Sequence, residues 1–174
     1  SDVYKRQTLW ILDVSEFCQR DSNTGVQRVV KSYLKLLLQF PPKDFCVEPV
    51  FATRENCYCY ARRFTKRFLG HSYKNEQDSP IRWQRGDIFF GLDMQHHVQR
   101  AHQDCFYRLK QEGVTVKFEV YDLLPVQLSD HFKNSDSKEL HEKWLGIIAG
   151  LDGVICISKA TADTFENWIH KNKI

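Results

Sequence analysis

Apolar and polar positions alternate between two rhythms along this chain, and the change of rhythm predicts its elements. The apolar run Leu9–Val14 predicts a buried first strand. After a polar loop, Val26, Val29, Val30, Tyr33, Leu34, Leu37 and Leu38 recur at helical spacing, and Pro41-Pro42 stops that helix. Phe45–Phe51 reads as a second strand, at an edge or a bulge because of Pro49, and Cys57–Tyr60 as a short extra strand. Phe64 and Phe68 share one face of a helical turn within an otherwise irregular stretch. Ile88–Leu92 is an apolar strand, and Val98, Ala101, Cys105, Phe106 and Leu109 mark one helix closed by Gly113. Val114–Tyr121 is a strand with Val116, Phe118 and Val120 on one face. Leu140, Trp144, Ile147 and Ile148 mark a helix for which Asp136 and Glu139 form a capping arrangement. Gly153–Ile157 is a wholly apolar strand of the type covered on both faces, and Ser158 caps a last helix burying Ala162, Phe165 and Ile169. Strand and helix alternate throughout. The fold class expected is α/β, a doubly wound, mostly parallel sheet.

In such a sheet, ligands bind beyond the carboxyl ends of the strands. Those ends carry Asp13 and Ser15, then Asp93 with Gln95 and His96, then Tyr121 and Asp122, then Ser158. One polar end is a cap; four make a polar rim. Between the first strand and its helix, Thr24 and Gln27 fit a capping box, and Gly25 permits close approach of a backbone or a ligand. A helix start of this kind offers free amides to an anion.

Other chemistries lack their residues. The loop before the first helix is neither G-x-G-x-x-G nor a phosphate loop ending in Gly-Lys-Ser/Thr, and no G-x-S-x-G elbow exists. His96 and His97 are adjacent, so on a helix they point about 100° apart and do not share a metal; His97 is expected to face solvent. Asp93, Glu119 and Asp122 are the carboxylates of a nuclease-like metal site, but Glu119, three residues before Asp122 and within a strand, is expected to face away.

Composition changes this picture little. The 174 residues are 42% hydrophobic and 27% charged, as in ordinary globular domains, and no apolar run reaches membrane-span length. Six scattered cysteines form no zinc pattern and are expected to be reduced thiols of a cytoplasmic protein. The net charge of +3 gives no sign of a nucleic-acid binder. It is uneven, however: from Arg54 to Arg85, eight Lys/Arg face three acids, leaving the remainder near −2. The basic stretch 62–85, with Phe64, Phe68 and Leu69 among its cations, is a solvated insertion or a surface for anionic lipid or a lipid-diphosphate acceptor.

The motifs Leu12-Asp-Val-Ser15, Thr24-Gly-Val-Gln-Arg-Val29, Gly91-Leu-Asp93, Val120-Tyr-Asp-Leu-Leu-Pro125 and Ile155-Cys-Ile-Ser158, in this order, resemble the N-terminal half of family 4 glycosyltransferases. The resemblance covers essentially Leu9 to Ile169. It implies the GT-B architecture, two Rossmann-like domains facing across a cleft, and retaining transfer from a nucleotide sugar without a metal or other cofactor. The acceptor implied is a glycan or lipid-linked glycan in cell-surface polysaccharide synthesis, at the cytoplasmic face of the membrane. It places Thr24, Gly25 and Arg28 near the donor phosphates and acceptor, with Asp93, His96 and Ser158 as further binding candidates. It makes Asp122 and Tyr121 the catalytic candidates, tyrosine standing where many relatives carry histidine. Residues 1–7 resemble an adapter-derived, non-native tract, leaving 8–174 as the acceptor-side domain. The family's donor-binding C-terminal domain is absent, so the chain alone is expected to be inactive. The competing reading is a non-catalytic α/β ligand-binding or partner module.

Overall fold

The computed structural model describes residues 6–128 and 135–174. Its sheet has six strands: β1 (Thr8–Asp13), β2 (Phe45–Phe51), β3 (Cys59–Tyr60), β4 (Ile88–Gly91), β5 (Thr115–Val120) and β6 (Val154–Cys156). They lie in the order β3-β2-β1-β4-β5-β6, all parallel except β3. Helices α1 (Ser15–Gln19), α2 (Gly25–Gln39) and α3 (Arg62–Phe68) flank one face. The other carries α4 (His96–Ala101), α5 (Gln103–Gln111), α7 (Ser135–Ala149) and α8 (Lys159–Asn172), with the short α6 (Leu124–Gln127) leading into α7. This is the expected doubly wound, Rossmann-like α/β fold.

Strand alternation sorts the core onto two faces. Leu12, Phe90 and Leu92 point to α1 and α2, where Phe17, Val30 and Leu34 meet them. Ile11, Phe89, Val116, Phe118 and Val120 point the other way, against Phe106, Leu109, Trp144, Ile148 and Phe165. Phe89, Phe106 and Phe118 are fully buried, with ring centroids 5.1–6.1 Å apart. Each contributes roughly 1.5–3 kcal/mol through area removed from water. Gly91 makes room for one of them: a Cβ there would stand 2.1 Å from Phe118 Cδ1.

Several expectations need correction. Pro49 lies in a strand flanked on both sides, not at the sheet's edge, yet its constraint is met. Its carbonyl accepts from Ala61 N at 2.9 Å on the β3 side, so its missing N–H also faces that side, where β3 is only two residues long. The single helix expected across 98–109 is two, broken at His102, whose Nε2 meets Thr53 O at 2.6 Å. The last strand is shorter than Gly153–Ile157, and it is covered on one face only. Ile155 and Ile157 are each 46% exposed, with no described helix over them. Glu139 pairs with Lys143, and the cap expected for α7 adjoins residues outside the described ones.

Arg6, within the tract expected to be non-native, contacts the domain. Its guanidinium forks onto the buried Asp87 carboxylate at 3.0 and 2.6 Å, and Asp87 also accepts the Leu9 and Gln84 amides. The expectation for residues 1–5 falls outside the described residues. All six cysteines are free thiols. Among the described residues, no helix is long and apolar enough to cross a membrane.

Candidate functional site

Parallel pairing brings the ends of β1, β4, β5 and β6 to one edge: Asp13 is opposite Gly91, Gly91 opposite Phe118, and Val120 opposite Cys156. The polar rim expected there exists, but its members divide into an inner set already bonded and an outer set left open.

The inner set ties the edge together. Asp13, fully buried, accepts from Ser15 N at 3.0 Å, from Ser15 Oγ, and from Tyr58 OH at 2.6 Å. Ser15 Oγ in turn accepts the Ala52 amide at 3.0 Å, joining β1 to the end of β2. Burial pushes the Asp13 carboxyl above its ordinary value, against the pull of these hydrogen bonds. Asp93 accepts the Phe17 amide at 2.6 Å and the Met94 amide at 2.8 Å, so it caps the start of α1 from across the sheet. Burial raises its pKa to about 6. Both carboxylates have their oxygens occupied by the fold.

Other candidates are likewise engaged. Tyr121 is buried and donates its hydroxyl proton to Leu92 O at 2.8 Å, and burial raises its pKa. Asp122 accepts the Leu124 amide at 3.1 Å as a turn cap. Ser158 Oγ accepts the Thr161 amide at 3.1 Å, the expected cap of α8, and Thr161 Oγ1 reaches Tyr121 O at 3.4 Å. His96 turns into the seam between α4 and α7. Its ring stands 4.9 Å from His141 and 5.0 Å from Trp144, and burial lowers its pKa to about 3. His97 is exposed as expected.

The outer set is the first turn of α2. Thr24 Oγ1 accepts the Gln27 amide at 3.2 Å, half of the expected capping box. The Gln27 side chain does not complete the box. It is buried and laces the preceding loop, accepting Ser22 N at 2.6 Å and donating to Arg20 O at 2.6 Å. Asn23 holds a left-handed φ of 51° within that loop. The amides of Gly25 and Val26 have no acceptor among the described residues. A Cβ on Gly25 would meet nothing within 4 Å, so no other backbone approaches it and the space in front is open. Arg28, one turn on, is exposed, with no carboxylate partner among the described residues. Free amides at a helix start are the kind of group that can hold an anion. Thr24, Gly25 and Arg28 are thus brought together, whereas no hydrogen bond connects them to Asp93, His96, Asp122 or Ser158.

No family model matches the chain, and no solved structure matches it. Among curated proteins, it is similar to sugar transferases. It is 28% identical over 174 residues to a serotype-specific mannosyltransferase WbdA of Escherichia coli, the similarity spanning 98% of this chain and 20% of that protein. Two further Escherichia coli proteins of the same name are 29% and 27% identical, over 97% and 98% of this chain. The chain spans about a fifth of the length of these curated relatives.

Two residues that sequence reading missed, Tyr58 and His141, and one whose side-chain partners it misassigned, Gln27, shape this edge. Gln27 orders the loop, Tyr58 closes the Asp13 network, and His141 packs on His96. Only Gln27 carried a local signal, as the fourth residue of the capping box. The three carboxylates of the nuclease reading do not converge: Asp93 holds α1, Asp122 caps a turn, and Glu119 shares the sheet face of Tyr121. Among the described residues, no group of three His, Cys, Asp or Glu side chains is placed to hold a metal ion.

Proposed function

We propose that this chain is the acceptor-side domain of a retaining, metal-independent glycosyltransferase of the GT-B type. The enzyme moves a sugar, mannose by analogy with its relatives, from a nucleotide sugar to a glycan or lipid-linked acceptor at the cytoplasmic face of the membrane. One observation carries the reading: the first turn of α2 is open, with the Gly25 and Val26 amides and the exposed Arg28 side chain unpaired among the described residues. As the bond to the donor sugar breaks, the nucleoside diphosphate gains negative charge. Donors fixed in advance stabilise that charge more than they stabilise the bound donor. Lacing by Gln27 holds these amides in place before the donor arrives. Gly25 leaves the room that a phosphate oxygen needs to reach them.

Within this reading Asp122 lines the acceptor side of the cleft, whereas Tyr121, buried with its hydroxyl on Leu92 O, supports that strand end and is not a catalytic group. A second domain completes the donor pocket. The test is transfer by the full-length protein from GDP-mannose and UDP-sugars, with the product anomer read by NMR and the rate measured with and without EDTA. Retention of configuration and an unchanged rate in EDTA are expected. Inversion, or loss of activity restored by a divalent ion, refutes the mechanism. Nucleotide and sugar binding without transfer supports a binding module instead.

A further inference from the structure

Between α1 and α3 runs a groove that the transfer chemistry above does not use. It consists of two adjoining cavities of about 350 and 210 Å³ that share Cys18, Gln19, Phe64 and Arg67. Its floor is aromatic. Phe64 and Phe68 stack at 5.8 Å, and both set their rings edge-on to Phe17 at 5.3 and 5.9 Å. Its rim is cationic, with Arg20 and Lys31 at one end, Arg63 at the other and Arg67 where the cavities join, its guanidinium 6.0 Å from the Phe64 ring centroid, against Asp21 and Asp78. These cations are not equivalent. Arg20 is paired with Glu16 at 2.9 Å and Lys31 with Asp21 at 3.3 Å. Arg63 and Arg67, one turn apart on α3, have no carboxylate partner among the described residues.

We propose that this groove binds the acceptor through a phosphate group, held by Arg63 and Arg67, with a sugar ring lying on the aromatic floor. The inference rests on the transferase reading and names its acceptor class. Two guanidiniums one turn apart present paired N–H donors of the kind that fork onto a phosphate, which a neutral sugar does not call for. A bilayer surface fits less well. Phe64 and Phe68 are held against Phe17 at 5.3 and 5.9 Å rather than projecting outward. The groove also leads to the right place: Arg20 and Asp21 at its near end belong to the loop that enters the first turn of α2, where Gly25 stands. An acceptor seated there lies beside that turn.

The phosphate has two sources, a phosphorylated glycan or the diphosphate link of a lipid-carried one, and the probes separate them. Amide shifts of the ¹⁵N-labelled chain are followed with methyl α-mannoside 6-phosphate, with farnesyl diphosphate and with methyl α-mannoside. GDP and UDP serve as donor-site controls. The phosphorylated probe from the true source shifts residues 18–19 and 62–68, and Arg63→Ala with Arg67→Ala weakens it about tenfold or more. The unphosphorylated mannoside binds more weakly than that probe. Both arginines are exposed, so an unchanged melting temperature shows that the variant is folded. Equal binding of neutral and phosphorylated mannosides, no loss in the double variant, or shifts confined to residues 25–28 each overturn the proposal. Failure of GDP and UDP to shift residues 25–28 counts against the transferase reading instead and leaves the groove result standing.

Discussion

The buried Gln27 amide accepts the Ser22 N–H at 2.6 Å and returns a hydrogen bond to Arg20 O at 2.6 Å. One side chain from the first turn of α2 therefore fixes the loop that delivers the chain to that turn. Truncation in Gln27→Ala leaves a backbone donor and a backbone acceptor unpaired in a part-buried place. The expected cost is about 1–3 kcal/mol in chemical denaturation, with faster hydrogen exchange across residues 20–23. A stability within about 0.3 kcal/mol of wild type would show that the loop orders itself without this lacing.

Gly25 and Gly91 are glycines for opposite reasons. A Cβ at Gly91 collides with the Phe118 ring at 2.1–3.0 Å, so Gly91→Ala forces repacking of the core and is expected to cost about 1–3 kcal/mol. A Cβ at Gly25 meets nothing within 4 Å and the position is exposed, so Gly25→Val is expected to change folding stability by less than about 0.5 kcal/mol. Thermal melts of the two variants side by side check the contrast.

Glu119 is a buried carboxyl with no hydrogen-bond or ion-pair partner among the described residues, and burial raises its pKa from 4.5 to about 7. The folded state thus prefers the protonated acid. Above pH 7 both states are ionised and the fold carries the full cost of a buried charge. Between pH 7 and 4.5 the folded state takes up its proton first and that cost disappears. Glu119→Gln is expected to be roughly 1–2 kcal/mol more stable than wild type at pH 8, with the gap closing by about pH 4.5. A gap that stays constant with pH would place its origin outside ionisation.

The fold was legible where periodicity speaks. Alternation along Val116, Phe118 and Val120 and the 3.6-residue spacing along α2 reappear as buried faces, because burial of one face is what selects those spacings. Position of side-chain bonds was not legible. Tyr121 and Asp93 sit at strand ends as expected, yet their polar atoms are spent on Leu92 and Phe17, 29 and 76 residues away in sequence. Local spacing contains no record of such pairings. The same holds for the break at His102, which a contact to Thr53 stabilises from 49 residues away. The helix start at Thr24 and Gly25 was legible because it is a local feature, written in consecutive residues.

Sugar transfer by the full-length protein, with wild type compared against Gly25→Val and Arg28→Ala, tests the proposed anion site most directly. Both variants are expected to fold as wild type does, since a Cβ at Gly25 meets nothing within 4 Å and the Arg28 side chain has no hydrogen-bond or ion-pair partner among the described residues. Arg28→Ala should lower kcat about 10²-fold, and Gly25→Val, which fills the space a phosphate oxygen needs, at least as much. Rates within about twofold of wild type in both variants, about 0.4 kcal/mol of barrier, would contradict the placement of the leaving diphosphate at the first turn of α2.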